Sequence, residues 1–88
     1  MTIKMSKKLQ HNIFQHVEGT FPNEGGGFLL GTRTTEYTHV QDVIHIDNVF
    51  ETEEQYHRYA MTPENWATME DQADERGLTL IGYHHSHP

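Results

Sequence analysis

The chain has 88 residues, which is room for one small domain. Six Lys and Arg against thirteen Asp and Glu give a net charge of −7 with His neutral, which argues against a general nucleic-acid binder and against an anionic lipid surface as partner. There is no Cys, so a disulfide framework and a thiolate zinc site are both excluded, and a transition-metal site has to use His with Asp or Glu. In chain order, the first predicted element is a helix over 6–18. Ser6 suits its N-cap, Leu9, Ile13 and Val17 recur every four residues with Phe14 alongside, and Gly19 suits a left-handed residue at its end. Residues 21–27 hold Pro22 and three consecutive glycines and read as a turn. Phe28-Leu29-Leu30 reads as a short buried strand stopped by Gly31, and the β-branched and aromatic stretch 37–50 as one long or two short strands. Residues 51–55 read as an acidic loop and 56–61 as another strand. A second helix has Thr62 at its N-cap, Pro63 at its first position and an apolar stripe of Trp66, Met69 and Ala73, with Gly77 ending it. Residues 78–83 read as a strand buried between layers, because Leu80 and Ile81 are apolar on both faces. Helix, strands, helix, strand make a mixed α/β domain.

No apolar run approaches the ~20 residues of a membrane span, and no apolar signal segment follows the N-terminus, so a cytoplasmic chain is expected. A domain of this size buries only about 60% of its unfolded surface. Without disulfides it needs a metal, a partner or more chain.

Eight His residues are the compositional oddity, and His84, His85 and His87 fall in the last five positions. In an extended backbone, residues two apart share a face, so His85 and His87 project together and His84 projects away, toward packing or hydrogen bonding. Pro88 biases His87 to extended backbone. Two neutral imidazoles on one face suit zinc; a solvated, His-rich terminus is the alternative. Glu24 sits between Pro22 and the glycines. It is either an exposed turn acid or a carboxylate at a strand mouth that can take a proton from a metal-bound water. The glycines are not a phosphate loop, since no Lys-Ser/Thr follows and a strand comes next. His11, His16, His39, His45 and His57 read as surface or half-buried residues, and Tyr56, Tyr59 and Trp66 as core or rim aromatics.

The segment Pro22-Asn23-Glu24-Gly25-Gly26-Gly27-Phe28-Leu29-Leu30-Gly31, followed at a distance by Gly82-Tyr83-His84-His85-Ser86-His87-Pro88, resembles the two signature blocks of the JAMM zinc metallopeptidases, the catalytic members of the MPN domain superfamily. The helix before the Glu and the Pro-led helix before the His block fit as well. The resemblance implies a cytidine-deaminase-like mixed sheet flanked by helices, with residues 1–88 as the N-terminal portion of a single MPN domain whose C-terminal part is missing. It implies zinc as cofactor, Glu24 as general acid/base, and His85 and His87 as the first two zinc ligands. The third ligand is expected from the Asp of a Ser-x-x-Asp beyond Pro88. The implied activity is peptide or isopeptide hydrolysis at the C-terminus of a ubiquitin-like or sulfur-carrier protein, carried by the parent domain and absent from the 88 residues alone. Two rivals stand beside it: a non-catalytic MPN-like interaction module, and a His-rich metal-binding domain. The strand over 78–83 is expected to leave an open sheet edge that invites a homo-oligomer.

Overall fold

Among the described residues, the chain forms β1 (Thr2–Met5), α1 (Lys7–Thr20), β2 (Glu24–Arg33), β3 (Tyr37–Phe50), α2 (Glu53–Ala60), α3 (Pro63–Glu75) and β4 (Thr79–His85). The structure is a computed structural model and describes residues 2–20, 24–50 and 52–85. The strands make one mixed sheet in the order β1-β3-β2-β4; β1 is parallel to β3, and β2 is antiparallel to both β3 and β4. The expected mixed α/β architecture is therefore present. β1 is an addition to the reading of the sequence: it is four residues long and almost wholly exposed, with Ile3 69% accessible, so no buried alternation marked it.

Helix α1 starts as expected, with the Ser6 hydroxyl accepting from the Leu9 N–H at 3.1 Å. It packs on β2 and β3 through buried Leu9 and half-buried Ile13, His16 and Val17. Gly19 does not end it. The helix runs on to Thr20, and among the described residues Gly77 alone has a positive φ. Nothing stands within 4 Å of where a Gly19 Cβ would lie, so no neighbour forces a turn there.

The glycines expected in a turn belong to strand β2, which begins at Glu24 and runs through Gly25, Gly26 and Gly27 to Arg33. They are there for lack of space. A Cβ on Gly26 would overlap the His84 carbonyl oxygen and come within 2.5 Å of the Tyr56 hydroxyl, and one on Gly27 would reach 2.7 Å from the Ile44 carbonyl oxygen. Gly31 likewise does not stop the strand. Irregular registers flank Leu30 instead: Gln41 is the extra residue on β3, and Ile81 the extra residue on β4. Stretch 37–50 is a single strand of 14 residues.

Residues 56–61 are not a strand. They lie in α2 and its C-cap, and the expected loop before them supplies the helix start. Thr52 is the N-cap, its hydroxyl accepting from the Gln55 N–H at 3.2 Å. Tyr56 and Ala60 are four apart and both fully buried, a helical spacing that a six-residue window read as alternation. Helix α3 has Pro63 in its first turn as expected, but Thr62 makes no side-chain cap and instead donates to the Arg58 carbonyl at 2.9 Å. Its end is as expected: Gly77 takes φ 70°, Leu78 N–H reaches Ala73 O at 2.8 Å and Gly77 N–H reaches Asp74 O at 3.0 Å. That is the Schellman arrangement.

The core lies between the sheet and the α2–α3 layer. Phe28, Ile46, Tyr56 and Ala60 form its centre, with Trp66, Met69, Leu80 and Tyr83 packed around it. Strand β4 is half-buried, not enclosed, and stands at the sheet edge among the described strands. No helix among the described residues is long and apolar enough to cross a membrane.

Candidate active site

The β2–β4 register builds the site. Gly26 pairs with His85 and Gly27 with His84, so the start of β2, which carries Glu24, lies at the same end of the sheet as the end of β4. Glu24 thus stands at the mouth of a strand, its backbone paired with Phe50 of β3. His87, the expected second zinc ligand, lies outside the described residues with Ser86 and Pro88, as do Phe21, Pro22 and Asn23.

His85 is half-buried on the α2 face of the sheet. Its ring centroid is 5.6 Å from that of Tyr56 and 6.3 Å from that of Tyr83. The Tyr56 hydroxyl donates to the His84 carbonyl oxygen at 2.6 Å, which fastens α2 to β4 one residue before His85. Burial, reinforced by nearby Tyr83, pushes the Tyr56 phenol well above its ordinary range, so it stays a neutral donor. Gly26 is required directly beneath this clasp. A cleft of about 540 Å³ opens beside His85, lined by Thr52, Glu54, His57, Tyr83 and His85. Within it Tyr83 and His57 are hydrogen-bonded through the phenol and Nδ1 at 2.6 Å, and Glu54 is ion-paired with Arg58.

His84 turns to the opposite face, as the strand alternation requires. There it meets α1 and lines a second cleft, of about 340 Å³, with Ile13, Phe14, Val17 and Leu29. His16 stacks on His45 on the same side, centroids 4.4 Å apart, and His16 Nε2 bonds the Ile46 carbonyl at 3.1 Å. Burial, with smaller contributions from His45, His16 and His85, lowers the His84 imidazole to about 4. It is therefore a neutral packing residue, in line with the sequence reading.

Residues 6–88 match the family described as prokaryotic homologs of the JAB domain. The chain belongs to that family. The JAMM/MPN resemblance carried by the Glu24 and His85 blocks is consistent with it. This JAB domain is also similar to the solution structure of a protein from Desulfitobacterium hafniense, at 25% identity and a TM-score of 0.77, covering 99% of this chain and 57% of that one. It thus spans little more than half the length of that neighbour. No curated protein matches it.

Among the described residues, no three His, Asp or Glu side chains of the JAB domain are grouped so as to hold a metal ion. His85 is the described donor of the expected pair. Its chemistry suits zinc: an imidazole at a strand end, half-buried, walled by two aromatic rings that limit its rotation. The residues that the sequence did not point to are His57 and Tyr83. His57 sits on a helix where the sequence predicts a strand, and Tyr83 stands two residues before His85, on the same face of β4.

Proposed function

We propose that this JAB domain is the N-terminal part of a zinc-dependent metallopeptidase or isopeptidase that works in the cytoplasm on the C-terminus of a ubiquitin-like or sulfur-carrier protein. The observation that carries the reading is the pairing of Gly26 with His85, which brings the Glu24 end of β2 to the His85 end of β4. His85 and His87 would hold the metal, with an Asp downstream of Pro88 as third ligand. Zinc, when bound, lowers the pKa of its water toward roughly 7 and polarises the scissile carbonyl. Glu24 would accept the proton of the attacking water and return it to the leaving nitrogen. Tyr56 would keep His85 in place through the His84 carbonyl.

The test uses the chain extended through the downstream Ser-x-x-Asp, assayed on a ubiquitin-like fusion with zinc content measured in parallel. Glu24→Gln is expected to retain zinc and lose about 10²–10⁴-fold in turnover, the usual worth of general acid–base catalysis. His85→Ala is expected to lose the metal. A Glu24→Gln protein as active as wild type would make Glu24 an exposed turn acid, one without zinc would make it a ligand, and a zinc-loaded wild type that cleaves nothing would favour the non-catalytic interaction module.

A further inference from the structure

The cleft beside His85 has a feature that the proton chemistry above does not use. Tyr83 on β4 and His57 on α2 share one hydrogen across 2.6 Å. With the phenol donating to Nδ1, the phenol oxygen keeps lone pairs that can accept, and the ring keeps an N–H at Nε2 that can donate. The pair therefore carries one acceptor and one donor. The other charged group in the cleft, Glu54, is already paired with Arg58. Thr52 contributes a hydroxyl that, while capping α2, retains its own O–H. The lining sets these few polar groups among apolar surface, its one carboxylate is offset, and the volume of about 540 Å³ falls in the range of small-ligand sites. The N–H and C=O of one residue in an extended peptide are the ligand with matching chemistry, since they point to the same side and offer one donor and one acceptor with no charge.

We propose that the His57–Tyr83 pair is a positioning subsite that binds the N–H and C=O of one extended residue of the substrate segment next to the scissile bond. The Tyr83 oxygen accepts from the substrate N–H, and the His57 ring donates to the substrate carbonyl. The assignment rests on the peptidase reading for its purpose, and its test does not depend on turnover. The probe is acetyl-Ala-Gly-Gly-amide, together with ester analogues in which each peptide N–H in turn is replaced by oxygen. Binding at millimolar peptide is followed by amide and ring NMR shifts of the chain, without and with zinc. Saturable shifts are expected at His57 and Tyr83. One ester analogue should bind about threefold to tenfold more weakly, the worth of one hydrogen bond. In Tyr83→Phe, which keeps the ring and its packing, that analogue and the parent peptide should bind alike. His57→Gln, at an exposed position, provides a second variant and should weaken all the peptides together. No shift at either residue, or an ester penalty that persists in Tyr83→Phe, overturns the assignment. An ester penalty abolished by Tyr83→Phe upholds the subsite, and if the chain extended through the downstream Ser-x-x-Asp then binds no zinc, the subsite stands while the peptidase reading falls.

Discussion

His84 shows how one buried ring couples the fold to pH. Its Nε2 is buried without a hydrogen-bond partner among the described residues, 3.2 Å from where a Gly27 Cβ would lie. The folded ring takes a proton only near pH 4, whereas the unfolded chain takes one near 6.5. Between these values the unfolded state holds more protons, so the contribution of this ring to stability is complete above about 6.5 and is lost as pH falls toward 4. Thermal melts of the chelated protein across that window should show Tm falling with pH, and His84→Gln should flatten the fall; equal slopes would refute the assignment. At this scale the sequence was informative about His84 and His85 standing on opposite faces of β4, because strand alternation is local. It was silent on His57 and Tyr83, which face each other only because α2 lies over β4, a relation that no local pattern encodes.

The elements that were misread share a cause, namely short windows in which the period could not be told. Stretch 56–61 has apolar or aromatic residues at 56, 59, 60 and 61, which fits a helix once Thr52 is seen to cap it, and a strand if it is not. The glycine run was read from its residue type, although its meaning comes from what packs on it, the Tyr56–His84 clasp. The long α1 and α3 are legible because their periodicity agrees with the Ser6 cap of one and with Pro63 and Gly77 at the ends of the other, although Thr62 makes no side-chain cap and Gly19 does not end α1. Two helix-associated glycines make opposite predictions. Gly77 holds φ 70° with open space around its absent Cβ, so Gly77→Ala carries a purely backbone cost of about 1–2 kcal/mol. Gly19 is helical and equally open, so Gly19→Ala should stabilise by about 0.5–1 kcal/mol. Urea unfolding of the two variants checks both signs; a shift of the same sign in both would contradict the helix end drawn here.

At the scale of the molecule, the open flank of β4 and the net charge of −7 pull in opposite directions. An edge strand with unpaired backbone groups templates pairing with a second copy, while like charge keeps two copies apart. The 88-residue chain is therefore expected to dimerise through β4 more readily as salt rises and screens the repulsion. Light scattering should report a mass above the 10.3 kDa monomer at high salt, and Thr79→Glu, which sets like charges on that edge, should return it to monomer. A mass independent of salt and of this substitution would exclude edge pairing. The same arrangement has a temporal side. β2 and β3 are joined by a short turn and can zip together early, whereas β4 reaches β2 only after α2 and α3 have been laid down between them. The β2–β4 pairing, which brings His85 to the Glu24 end of β2, thus costs the most loop closure and is the seam that parts first. Partial opening of β4 would carry His85 away from Glu24 while leaving the β2–β3 hairpin intact, so on heating or digestion the proposed site should fail before the fold does.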